Sequence, residues 1–171
     1  MAKKQKHPTL IPHSFIKEDD YMTPKYAWEN IAHLIPKDKV IWEAFYGDGK
    51  SGEYLKELGF NVIHEPVDFY KNDLGEIIIS NAPFSQSKEI MKRLLVIDKP
   101  FILIFPSSKI NTSYFREWKD KGLQIIIPPK RIHFQKKDKD GQPIKGWKNA
   151  CFFDCFYYCY KMGFPNDIVW L

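Results

Sequence analysis

The sequence predicts an α/β fold, with a mostly parallel sheet, helices on both faces and an antiparallel ending. Three observations lead there. Ile77-Ile78-Ile79 is a β-branched run closed by Ser80, Asn81 and Pro83, the pattern of a short strand buried on both faces. Around it, strand-like runs alternate with amphipathic stretches, the order of a parallel sheet with crossover helices. The last β-like segments follow one another with no helix between them, which suits antiparallel pairing.

The elements follow in order. Lys25 to Ile35 places Tyr26, Ala27, Ile31, Leu34 and Ile35 near helical spacing, with Thr23-Pro24 as cap and first-turn proline. Val40 to Phe45 reads as a strand, Tyr46 to Gly52 as a glycine turn, and Glu53 to Leu58 as a short helix stopped by Gly59. Phe60 to His64 is a second strand and the isoleucine run a third, ending at Ser80 or Asn81 because Pro83 cannot donate to a ladder. Lys88 to Val96 is a helix with Ile90, Met91, Leu94 and Leu95 inward, and Phe101 to Phe105 a strand. Ser113 to Lys121 reads as helix, Gln124 to Ile127 as strand, and two final β segments are expected near Arg131 to Gln135 and Cys151 to Tyr160.

The chain has 171 residues, enough for one core, and 44% of them are hydrophobic, which excludes disorder for most of its length. No apolar run approaches the roughly 20 residues that span a bilayer. A soluble protein with no membrane partner is expected. The first residues are basic with no apolar segment behind them, so residues 1–18 are expected to be a flexible arm, neither secretory signal nor transit helix. Residues 19–171 then form a single domain. Cys151, Cys155 and Cys159 imply reduced thiols and a cytoplasmic setting. Positions four apart share a face on a helix or a strand, so buried cysteines, with no metal, are expected.

The formal charge of +5 is unevenly distributed. Residues 128–149 hold seven basic side chains against Asp138 and Asp140. Interleaved with His133, Phe134 and Trp147, this is the composition of a lobe that contacts a polyanion, with the loop at about 135–149 as its centre.

Glu43-Ala44-Phe45-Tyr46-Gly47-Asp48-Gly49 follows a strand and precedes a helix, so its glycines can bring backbone close to a ligand at the helix N-terminus. It lacks the third glycine of a dinucleotide fingerprint and the upstream glycine of a phosphate loop. Some twenty residues on, Glu65 and Asp68-Phe69 stand where acids accept hydrogen bonds from ribose hydroxyls or an adenine amine. Asn81-Ala82-Pro83-Phe84 then puts a carboxamide, a carbonyl and a ring at a strand's carboxyl end.

In this order the motifs resemble those of the S-adenosylmethionine-dependent DNA N6-adenine methyltransferases, especially the small phage and algal-virus type, from about Asp20 to Phe134. The resemblance implies a Rossmann-like class I methyltransferase fold and S-adenosylmethionine as cofactor. It assigns Tyr21, Thr23 and Pro24, with Glu43, Phe45, Gly47, Gly49, Glu65, Asp68 and Phe69, to the cofactor. Asn81, Ala82, Pro83 and Phe84 match its catalytic tetrapeptide, with Ala82 where that family has proline; Ala44 is a second such departure. By resemblance, the Asn81 oxygen and the residue 82 carbonyl accept the two hydrogens of the target amine, while Phe84 stacks on the flipped base. Phe134 would touch that base from the other side. Lys130, Arg131, Lys136, Lys137 and Lys139 would contact phosphates of double-stranded DNA. Related tetrapeptides serve enzymes acting on other DNA or RNA bases or on a protein glutamine, and Ala82 leaves open a catalytically silent nucleic-acid-binding homologue.

Overall fold

The computed structural model describes residues 19, 21–138, 140–146 and 151–171. The expected basic arm, Lys139, and the Trp147 and Lys148 end of the basic loop lie outside the described residues. Nine strands are described: β1 (Tyr21–Met22), β2 (Val40–Trp42), β3 (Asn61–Ile63), β4 (Ile77–Asn81), β5 (Phe101–Pro106), β6 (Gln124–Ile127), β7 (Gln135–Lys136), β8 (Cys155–Tyr160) and β9 (Ile168–Trp170). Seven form one sheet in the order β3-β2-β4-β5-β8-β6-β9, while β1 and β7 pair separately. Within the large sheet every neighbouring pair is parallel except those made by β8, which runs antiparallel between β5 and β6.

Side chains alternate across the sheet and divide the core in two. Ile77 and Ile79 of β4, Ile102 and Ile104 of β5, and Cys155, Tyr157 and Cys159 of β8 pack on one face with Ala27, Trp28 and Leu55. Those three belong to helices α1 (Lys25–Glu29) and α2 (Lys50–Glu57). Ile78, Phe101, Leu103, Phe105, Tyr158 and Tyr160 pack on the other, against Ile90, Met91 and Leu94 of α3 (Ser87–Ile97) and Phe115 of α4 (Ser113–Arg116). The sheet is thus covered on both faces, as the isoleucine run implied. Two buried tyrosines of β8 tie it to neighbouring elements, Tyr157 donating to the Ala27 carbonyl of α1 at 2.6 Å and Tyr158 to the Pro106 carbonyl at the end of β5 at 3.1 Å. All three cysteines are buried, and burial pushes each thiol above its ordinary pKa, so they act as small apolar side chains.

Several boundaries differ from expectation. The first helix stops at Glu29 and gives way to a tight turn at Ala32–Leu34, because Pro36 holds Ile35 extended (φ −92°, ψ 127°). Pro24 is the N-cap itself, with no side-chain cap. Arg131 to Gln135 alternates between exposed and buried as a strand would, yet only Gln135 and Lys136 find a partner, in β1. The antiparallel strand is β8, inside the sheet; β9, a short edge strand with exposed Ile168 and Trp170, follows it and is parallel to β6.

Gly75 sets the approach of β4 to β2. Its φ is 61°, and a Cβ there would lie 2.9 Å from the Val40 carbonyl oxygen and 3.0 Å from the Trp42 nitrogen. Gly75→Ala should therefore destabilise the protein by about 1–3 kcal/mol in urea unfolding, since both strain and backbone contact oppose it.

Candidate functional site

From β2 the chain goes to β3 on one side, and later returns to β4 on the other. The crevice outside the carboxyl ends of β2 and β4 is thus a topological switch point, where open α/β sheets bind ligands. Three segments converge on this edge: 43–49 after β2, 64–69 after β3 and 81–84 at the end of β4.

Asn81 sits at the last position of β4. Its side-chain Nδ2 donates to the Tyr21 carbonyl at 2.9 Å. Because a carbonyl can only receive, this bond settles which end of the amide is nitrogen. It leaves Oδ1 facing the other way, buried and without a hydrogen-bond partner among the described residues. The N-terminal segment makes a second contact just past the tetrapeptide, at Asp19, whose carboxylate accepts the Ser85 backbone N–H at 3.0 Å and the Ser85 hydroxyl. Ala82, where the resemblance has proline, is buried in the same cluster as Ala44, Trp42 and Phe69, so packing restrains it in place of a ring. Pro83 follows with φ −62°.

Glu43 is not at the surface of the crevice but fully buried beneath the glycine turn. One oxygen accepts the Ser80 hydroxyl and the other lies 3.0 Å from His64 Nε2, off the line of a hydrogen bond. His64 stacks on Tyr46 at 4.5 Å, and Gly52 makes this possible, since a Cβ there would stand 2.1 Å from the imidazole. Burial pushes the Glu43 carboxyl above the usual range, with His64 and Ser80 pulling it back. The carboxylate ties the ends of β2, β3 and β4 together, and sequence reasoning saw neither His64 nor Ser80 in this role.

In the turn above it Gly47 (φ 57°) is exposed, and Gly49 (φ 87°) caps α2 in a left-handed conformation. Asp68 accepts the Tyr70 N–H at 2.9 Å through Oδ1, while its Oδ2 is buried with no hydrogen-bond partner among the described residues, Lys71 Nζ standing off at 3.8 Å. Phe69 is a core ring, 5.6 Å from Trp42 and 4.8 Å from Phe45. Glu65 is exposed two residues beyond β3. Thr23 is buried and Pro24 half-buried.

Four rings meet around Tyr21 and Phe84. Tyr21 stacks on Phe84 at 5.5 Å, and Phe134 meets Phe84 edge-on at 5.9 Å. Phe153, which carried no recognisable motif, touches all three.

The basic residues are arranged differently from the expected row of phosphate contacts. Arg131 forms a two-armed pair with Asp154 at 2.8 and 3.2 Å, and Lys137 reaches Asp48 in the glycine turn at 2.7 Å with both side chains largely buried. Both charges are already neutralised within the chain. Lys136 lies over the Tyr21 ring at 5.7 Å, and Lys130 is exposed. The carboxylate partners, 23 and 89 residues away, could not be paired with these cations from spacing.

The chain is therefore an α/β protein with a mixed, mostly parallel seven-stranded sheet whose topological switch point lies between β2 and β4. It matches no protein-family model, and no curated protein matches it. No helix among the described residues is long and apolar enough to cross a membrane.

Two outcomes follow from these contacts. A buried acid with a raised pKa binds its proton more tightly in the folded state, so stability falls as pH climbs from the ordinary Glu value of about 4.3 through the raised one. Glu43→Gln should flatten that fall in urea unfolding measured across the range. Lys137→Met should cost about 1–3 kcal/mol in the same assay, by leaving the largely buried Asp48 carboxylate without its cation.

Proposed function

We propose that this protein transfers a methyl group from S-adenosylmethionine to the exocyclic N6 amine of adenine in DNA. The observation that carries the reading is the Asn81 amide, held by its nitrogen with its oxygen left, among the described residues, as an unpartnered acceptor at the carboxyl end of β4, in the tetrapeptide that resembles the family's catalytic one. The sheet, mostly parallel with one antiparallel strand near the end, is of the kind a Rossmann-like class I methyltransferase fold has.

The residues present fit the cofactor in part. Asp68 Oδ2 is a buried acceptor with no hydrogen-bond donor among the described residues, Lys71 standing off at 3.8 Å, and suits an adenine amine; Glu65 is open to ribose hydroxyls, and Gly47 exposes backbone where a side chain would stand. Glu43 and Phe69 are packed inside and would support the site from beneath. Bound there, S-adenosylmethionine supplies a methyl group made electrophilic by its sulfonium.

The chain's task is to make the amine a better nucleophile. The nitrogen lone pair of adenine is delocalised into the ring, and hydrogen bonds that accept both N–H groups favour its return to the nitrogen as the transition state forms. Asn81 Oδ1 is one acceptor; the Ala82 carbonyl is the other by resemblance, and alanine retains that carbonyl. Because Tyr21 orients the amide in advance, no rotation is left to be restrained during reaction. Exposed Lys130 and the part of the basic lobe not paired internally would meet the phosphates, with affinity that drops as salt rises.

Tritiated methyl incorporation into unmethylated duplex DNA tests the reading. Wild type should incorporate label at adenine N6, and Asn81→Ala should lower the rate by about 100-fold or more while the protein stays folded. Label that survives in Asn81→Ala, or none with wild type, counts against it.

A further inference from the structure

The resemblance places the flipped base between Phe84 and Phe134, but these rings meet edge-on with centroids 5.9 Å apart. A base stacked between two parallel rings needs two gaps of about 3.5 Å, roughly 7 Å in all. Asn81 Oδ1 is likewise closed off from solvent. In this conformation the amine of a base has no route to its acceptor, so a side chain must move.

The contacts single out Phe153. Its ring is nearly parallel to Phe134 (26°, centroids 6.3 Å apart), edge-on to Phe84 at 5.8 Å and edge-on to Tyr21 at 5.2 Å. It therefore fills a flat space floored by Phe134 and walled by two rings, one of which is on the residue whose carbonyl holds Asn81. The other three are fixed more firmly. Phe134 is 1% exposed, Tyr21 is in β1, and Phe84 directly precedes Ser85, which Asp19 clamps. Phe153 is partly exposed and lies outside helix and strand. The Arg131–Asp154 pair beside it is solvent-exposed, the kind that contributes about 1 kcal/mol at most.

We propose that Phe153 is an internal stand-in for the target base: its ring occupies the slot that an aminopurine takes when Phe153 swings out. This rests on the reading of the crevice as a base-modifying site and sharpens it. The base then stacks face-on against Phe134 and meets Phe84 edge-on, and displacing the ring is an entry toll that only a flat aromatic able to satisfy Asn81 Oδ1 recovers.

Removing a partly buried ring that three other rings surround leaves an apolar space that can take up a free ring of matching shape. Phe153→Ala, followed by thermal unfolding with free adenine, purine and toluene, reads this directly. Saturating adenine should raise the Tm of Phe153→Ala by about 2 °C or more, purine by less than half as much because it lacks the amine, and wild type by nothing measurable. Phe153→Leu, which keeps enough apolar bulk to fold, should show a smaller shift with the same ligand order, and it decides the matter if the alanine variant does not fold. No shift in either variant, equal shifts with adenine and toluene, or an equal shift in wild type would overturn the proposal. Binding is read without methyl transfer. Adenine uptake with no transfer by wild type would sink the proposed reaction alone, and transfer without uptake would sink the stand-in alone.

Discussion

The crevice depends on one hydrogen bond, from the Asn81 amide nitrogen to the Tyr21 carbonyl. A carboxamide presents a donor end and an acceptor end that cannot be told apart by shape. Binding the donor end to a backbone carbonyl removes that ambiguity and commits the oxygen to the far side, where it is buried with its acceptor capacity unused. An unsatisfied buried acceptor lowers stability by about 1–3 kcal/mol, a cost that a donor brought to this oxygen would remove. Asp19 on Ser85 keeps the same N-terminal segment in place, so the acceptor's orientation is set from outside the sheet.

Beneath the crevice a second buried polar group does a different job. Glu43 lies among the ends of three strands, and its burial is opposed by the Ser80 hydroxyl and the nearby His64. Gly52 admits the imidazole, and Tyr46 stacks on it beside Gly47. The conformation of the exposed glycine turn is thereby tied to a carboxylate that a ligand does not reach. The departures at Ala44 and Ala82 fall in one buried cluster next to this brace, where neighbouring side chains supply the restraint that a proline's fixed φ would otherwise give.

Charge on the surface is not the same as charge in the sequence. The basic window read as one polyanion-facing lobe, yet Arg131 and Lys137 hold the protein's own carboxylates, one latching residues 151–154 and the other fastening β7 to the glycine turn. Both pairs join distant parts of the chain around the crevice. Lys137 with Asp48 is shielded from solvent and Arg131 with Asp154 is not, so the first is the firmer tie.

The sequence by itself determined the sheet's character and the end of β4. The isoleucine run, the proline that stops it and the alternation with amphipathic stretches are local patterns, and each acts through a periodicity or a missing donor that needs no tertiary context. For the same reason Asn81, the glycine turn and Asp68 could be singled out before any contact was known. Only the tertiary structure decided that Glu43 points inward, that Arg131 and Lys137 are neutralised, that Arg131 to Phe134 alternates without pairing, and that Phe153 completes the ring cluster. Those outcomes depend on which residues meet across tens of positions of chain, and burial, ion pairing and ring contact are properties of the meeting, not of either residue alone.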